Sequence, residues 1–418
     1  MRVLFKNVEL CFPGHPLHGK TQDVLLEYDK VSEIGDDLAQ PTRTRVLEGG
    51  VLAPGLVDIG AFPGEPGYEH RETLRSLSRS ASRGGYTHLF IVPNLNPPTD
   101  NRSTVQYFRD ESQLIDIRPI GALSRGTQGQ DLAEIYDMNR AGVRVFSDGL
   151  NPIRDVGLMK RGLQYVKTFD GLVINTPYDQ SIEPDGLIHE SMISTQMGLK
   201  GIPEIAETVM LKRDIDLQEY TQSMLLVHQI STQESVKILK KVRKSNDRVF
   251  ASVAFLNLIR TVGDVQHFDT NYLVLPPLRE EKDRQALVKG LQAGHLDCVV
   301  SGHLPIEEEW KKIEFAEAKF GAATLPFVFP VLHDTLSKQV GIEQLIQWLS
   351  INPRRILGLE QATPDIESTI DFTWIDPDGQ TKYSASEFPS KSKNTSFLDR
   401  SWEGKILGVF YEENYELF

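Results

Sequence analysis

The sequence predicts an α/β protein: a (β/α)8 TIM barrel accompanied by a small β-sandwich domain formed by both chain ends. Three observations carry this. After Leu52, short apolar runs alternate with amphipathic helical stretches, the texture of βα units around a parallel sheet. Eight such runs can be counted, and eight strand-helix units fit a closed barrel of roughly 250 residues or more. Outside that stretch the pattern reverts to alternating strands. Residues 1–53 and 360–418 are therefore expected to pair into one composite β domain beside a barrel spanning 54–359. No Gly-x-Gly-x-x-Gly follows a strand, which counts against a doubly wound sheet.

Taken in order, "RVLFKNVEL" and "DVLLEYDKVSEIG" read as strands separated by the Pro/Gly/His-rich loop "CFPGHPLHGK". The barrel runs are "LVDIG", "YTHLFIV", "DIRPIG", "GVRVFS", "GLVIN", "MLLVHQ", "VFASV" and "DCVVSG". Between them, Gly84 and Gly85 mark a helix end. "STQES", from Ser231, has the form of a capping box followed by Val236, Leu239 and Val242 at helical spacing. In "GIPEIAETVM", Pro203 suits a first turn, and Ile202, Ile205, Ala206, Val209 and Met210 form an apolar stripe. Near the C-terminus, "TIDFTWIDPDG" alternates Ile370, Phe372 and Trp374 into an Asp-Gly turn, and "GKILGVFYEE" is a further strand.

Composition narrows the function classes. The 418 residues carry a formal net charge of -13 and no basic cluster, which argues against a nucleic-acid partner. No apolar run approaches the roughly 20 residues of a membrane span, and the N-terminus lacks a signal-peptide core, so no membrane role is expected. Cys11 and Cys298 form neither a disulfide framework nor a metal motif, and a cytoplasmic setting is expected.

In a barrel of this kind chemistry gathers at the C-terminal strand ends. Those ends read Gly60 with Phe62, then Asn94, Asp148, Asn175, Gln229, and Gly302 with His303. A catalytic zinc needs at least three His, Cys or carboxylate donors. Only Asp148 and His303 qualify, as a vestigial acid-base pair or, more plainly, as a turn cap and a packed imidazole. Asn94, Asn175 and Gln229 are candidates for binding a small polar ligand, or for satisfying one another around water. His228, one place before Gln229, is expected to face the other side of its strand. His15 and His18 read as a solvated turn, and "IEEEW" as a solvated helix start.

From end to end the chain resembles the dihydroorotases of the amidohydrolase superfamily. The resemblance runs through "GGVLAPGLVDI", "EPGYEHRETL", "VPNLNPPTDN", "FSDGLNPI", "GLKGIPEIAE", "PPLREEKDRQALVKGL", "INPRRILGL" and "SKSKNTSF". It implies the amidohydrolase type of barrel, and reversible hydrolysis of dihydroorotate to carbamoyl-aspartate in pyrimidine biosynthesis with one or two zinc ions. The family's His-x-His pair, however, falls on Gly60 and Phe62, and its substrate arginine on Gly64. Its later histidines fall on Asn175 and Gln229, its asparagine before Pro-Pro-Leu-Arg on Leu275, and its aspartate base on Gly302. Asn94 and Asp148 remain.

Bound zinc lowers the pKa of water from 15.7 to about 7, and no retained group replaces that effect. The sequence is therefore expected to encode a non-catalytic homologue, with no cofactor and a structural or assembly role. The resemblance implies aspartate transcarbamoylase as a partner and a homodimer as the assembly. Two alternatives stand beside this reading: an active cyclic-amide hydrolase holding zinc at an atypical site, and a metal-free small-molecule binding protein.

Overall fold

The computed structural model describes residues 1–110 and 114–418. Both chain ends build one eight-stranded sheet. Across it the strands run Asn414–Leu417, Trp402–Tyr411, Asp371–Thr381, Val51–Pro54, Arg2–Leu10, Thr21–Glu27 and Lys30–Gly35, with Arg45–Glu48 paired to Arg2–Leu10. "DVLLEYDKVSEIG" is a hairpin, not one strand, because the chain reverses at Tyr28 with φ 56°. The expected Asp-Gly turn at Asp378–Gly379 is instead an irregularity inside the strand Asp371–Thr381, between Asp376 and Gln380.

This β-sandwich region has its own core of alternating apolar positions. Phe5 meets Trp374 and Phe410 edge-on at 5.6 and 5.1 Å, and Phe12 meets Phe372 at 5.5 Å. Such aromatic pairs contribute about 0.5–1.5 kcal/mol each beyond burial. The N- and C-terminal segments are thus held by direct packing between residues far apart in sequence.

The eight barrel strands are Leu56–Ala61, Tyr86–Ile91, Asp116–Pro119, Val145–Phe146, Leu172–Asn175, Met224–Val227, Val249–Ala254 and Cys298–Val300. They coincide with the eight runs read from sequence. Neighbours pair in parallel from first to third and from fourth to eighth, and a Gly121–Phe146 bridge joins third to fourth. The eighth strand meets the first through Asp58, which accepts from Ser301 N–H and Ser301 Oγ–H, each at 2.6 Å. Burial pushes the Asp58 carboxyl up to about 6, against these two bonds from Ser301.

The barrel interior is apolar. Val57, Ile59, Phe90, Ile120, Leu172, Ile174 and Leu226 share one cluster. Val173, Leu225 and Val227 belong to the layer between strands and helices. Alternation of side chains along each strand fixes this division. It also decides which residue at each strand end looks into the mouth.

Helix Leu74–Arg83 ends at Gly84, as expected. Helix Ile205–Thr221 departs from the predicted stripe: Ile205 and Val209 are 53% and 44% exposed, whereas Ala206 and Met210 are buried. Its inward face also carries Glu207, which accepts from the backbone N–H of Ser231 and Thr232 and from the hydroxyls of Ser231, Thr232 and Ser235. Ser231 is thereby occupied, and the next helix, Gln233–Val242, is capped by Thr232 instead. Among the described residues no helix is long and apolar enough to cross a membrane.

Candidate functional site at the barrel mouth

Strand parity places His228 and Asn175 opposite to the sequence expectation. Leu226 points inward, so His228, two residues on, also faces the mouth. Its Nε2 lies 2.8 Å from the point where a Cβ on Gly60 would stand. Its Nδ1 is 2.9 Å from Ser252 Oγ. Burial drives the His228 pKa down to about 4, so the ring is neutral at pH 7.

Asn175 follows the outward parity of Val173. Its Oδ1 accepts from Ile153 N–H at 3.0 Å, and its Nδ2 donates to Asp214 at 2.7 Å on the helix layer. Thr176, the next residue, lines the mouth in its place. Gln229 does reach the mouth, although φ 56° takes it out of strand geometry. Its Nε2 lies 3.6 Å from the Cβ position of Gly302.

The remaining candidates are committed elsewhere. Asn94 donates to Asp148 O at 3.0 Å and Thr127 Oγ1 at 3.3 Å, and accepts from Leu150 N–H at 2.8 Å. It pins the loop after the fourth strand. Asp148 accepts from the N–H groups of Leu123 and Ser124 at 3.0 and 2.8 Å, and from the Ser124 hydroxyl. Burial raises its pKa to about 6, against the bonds from Ser124 and Leu123.

His303 accepts at Nδ1 from Thr324 N–H at 3.0 Å, so a neutral ring carries its proton on Nε2. Among the described residues that nitrogen is buried without a hydrogen-bond partner, 3.6 Å from the Glu72 carboxylate. Asp148 and His303 thus have separate partners and form no pair. Phe62 lies outside the mouth cavity and packs on Tyr68, ring centroids 5.7 Å apart.

Two glycines show how far the site departs from a zinc centre. Gly60 has φ 91° and Gly64 φ 75°, a region L side chains rarely adopt. A Cβ on Gly60 would press on His228, and one on Gly64 would stand 2.3 Å from Glu72 O. The backbone is therefore shaped around the missing side chains. With Asn175 turned outward and Gln229 an amide, the mouth presents one imidazole and no carboxylate. That donor set does not fit zinc, which takes three or four strong ligands.

Among the described residues one group of three has donor atoms within 4.8 Å of one another: His189, Glu204 and Asp283. None of the three lines the mouth cavity. Arg279 donates to His189 Nδ1 at 3.0 Å, which leaves the proton on Nε2 and no lone pair for a metal. Burial and the Arg279 charge lower this histidine to about 4. Asp283 accepts from Gln233 N–H at 2.8 Å. The group ties helix ends together.

Comparison with known proteins matches this architecture. A sequence model described as "Dihydro-orotase-like" matches residues 49–235. A dihydroorotase of Thermoanaerobacter sp. (strain X514) is 35% identical, over 97% of this chain and 95% of that protein. A dihydroorotase of Syntrophus aciditrophicus (strain SB) is 34% identical, over 97% of each. Among solved structures, the L-hydantoinase (dihydropyrimidinase) from Arthrobacter aurescens superposes with a TM-score of 0.86 at 20% identity, covering 100% of this chain and 97% of that one. The dihydropyrimidinase from Brevibacillus agri NCHU1002 gives 0.83 at 19%, covering 99% and 95%. The solved structures share the fold, and the full-length sequence matches fix the family: this chain belongs to the dihydroorotases.

Proposed function

We propose that this dihydroorotase-family chain does not hydrolyse dihydroorotate through zinc-bound hydroxide, and that it serves pyrimidine biosynthesis as a non-catalytic homologue. The observation carrying this reading is the backbone at Gly60 and Gly64. A mouth that had lost single ligands would keep room for them. Here two of the positions have left-handed backbone and neighbours standing where a Cβ would go. Gly64 further removes the bidentate cation that a substrate carboxylate needs. Its role is then structural, and by the family resemblance the partner we propose is aspartate transcarbamoylase, with this chain as a homodimer in the cytoplasm.

A second reading has its own support. Identity of 33–35% over nearly the whole chain to proteins named dihydroorotase favours retained activity with an atypical metal site. One assay separates the two: carbamoyl-aspartate formed from dihydroorotate by untagged protein, with and without added zinc. The non-catalytic reading expects the rate of the zinc-only blank. A rate proportional to protein and abolished in His228→Ala establishes the second. Mixing the chain with aspartate transcarbamoylase and following mass by light scattering tests the partner, the expected result being one larger species.

A further inference from the structure

The mouth that does not fit zinc still encloses a cavity of about 260 Å³. Its walls include Ile59, Val92, Ile120, Ile174, Val274 and Phe320. Among the described residues Ser147, Thr176, His228 and Gln229 are the lining side chains with polar atoms, and no Lys, Arg, Asp or Glu lines it. It opens onto a wider outer basin through shared walls at Leu150, Pro152, Leu275 and Phe320. A path from solvent therefore exists.

His228 gives this cavity a direction. Ser252 Oγ accepts the Gln229 N–H at 2.9 Å, and His228 Nδ1 stands 2.9 Å from the same oxygen. Ser252 is fully buried, so its hydroxyl proton needs an acceptor, and His228 Nδ1 supplies it. The ring's own proton then sits on Nε2. His228 is only 7% exposed, and among the described residues Nε2 has no hydrogen-bond partner. Nε2 opens on the cavity that His228 lines, where a ligand can supply the acceptor. A largely apolar space whose wall offers the His228 Nε2–H, beside the Gln229 amide and the Thr176 hydroxyl, is a site for a ligand that supplies an acceptor.

We propose that the barrel mouth binds an uncharged molecule of one or two rings that accepts a hydrogen bond from His228 Nε2–H. Size follows from volume: a cavity of about 150 Å³ takes benzene, so this one has room for a fused pair of rings. Charge follows from the walls, because a carboxylate entering a space with neutral donors and no cation is not repaid for its lost hydration. The site therefore discriminates against dihydroorotate. The proposal rests on the non-catalytic reading in one respect, that the mouth holds no metal.

The test uses the full-length protein and three probes. 1-Indanone has two rings and a carbonyl acceptor, indane has the same shape without the acceptor, and L-dihydroorotate has one ring and a carboxylate. Calorimetric titration is expected to show saturable binding of 1-indanone, with indane weaker by about tenfold, the worth of one buried hydrogen bond. His228→Phe is expected to erase that difference. Should the variant not fold, the imidazole Nε2 resonance of ¹⁵N-labelled wild-type protein gives the same answer: it moves with 1-indanone and stays with indane. Absence of 1-indanone binding, equal binding of the two with a static His228 resonance, or tighter binding of dihydroorotate overturns the proposal. Hydrolysis of dihydroorotate would overturn the non-catalytic reading, while failure of the probes without hydrolysis overturns only this one.

Discussion

The two ends of the barrel divide their polar groups in opposite ways. At the N-terminal end, Asp371 of the β-sandwich accepts from Arg354 at 2.8 Å, Thr87 at 2.6 Å and His88 Nε2 at 2.7 Å, while His88 Nδ1 faces Asp116 at 3.0 Å. Arg354 also donates to Gly55 O at 2.9 Å. This network is buried, charged and fully paired. At the C-terminal end, where such barrels do their chemistry, the cavity walls carry no formal charge. Asp58 of the first strand and Asp148 after the fourth are spent on Ser301 and on Leu123 and Ser124. The difference teaches that ionic complexity here serves to join two domains, while the C-terminal end holds a shaped, largely apolar space.

The largest effect is expected from breaking the charged end. Asp371→Ala leaves Arg354 and His88 buried without their shared carboxylate. A loss of about 3–5 kcal/mol is expected from urea unfolding midpoints. A loss under about 1 kcal/mol would mean that the network contributes no net hold on the β domain.

A smaller effect is expected at the mouth. Gly60→Ala should cost about 1–3 kcal/mol, through its left-handed φ and its approach to His228. Adding His228→Ala should recover part of that cost, since only the steric share is relieved. If Gly60→Ala is neutral, the backbone there is not committed to glycine, and the contrast with a ligand-bearing strand weakens.

The smallest effect is a pH dependence of opposite sign at the two ends. Burial raises Asp148 to about 6, above the ordinary carboxylate value near 3.9. Its contribution is therefore present below about pH 4 and lost as pH rises through about 6. Burial also disfavours charge on Asp371, but His88 and Arg354 outweigh it and hold that carboxyl well below its usual range. Its contribution is present above about pH 4 and lost as acid titrates it. Stability measured from pH 4 to 7 should thus fall less in Asp148→Asn than in wild type. Parallel curves would show that Asp148 does not titrate in this window.

Much of the fold was legible because barrel strands are short apolar runs bounded by turn residues, and all eight appear where the runs lie. That Gly60 and Gln229 stand at the family's ligand positions, and Gly64 at its arginine position, was equally legible, since it concerns residue identity at motif positions. Direction was not. Asn175 and His228 were placed on the wrong sides because a motif position says nothing of parity. Counting inward from Ile174 and Leu226 would have found Thr176 and His228. The cap at Thr232 was hidden by Glu207, a partner 24 or more residues away that claims Ser231. The same anchor turns Ile205 and Val209 outward, overriding an apolar stripe that local periodicity supports.

The central claim, that the mouth no longer forms a zinc site, is tested most directly by metal content. Untagged protein from zinc-supplemented cells, purified without chelator, would be measured by elemental mass spectrometry beside His228→Ala and His189→Gln. The account predicts less than about a tenth of an equivalent in all three, given how tightly structured zinc sites bind. An equivalent of zinc retained by His189→Gln and lost in His228→Ala would contradict it.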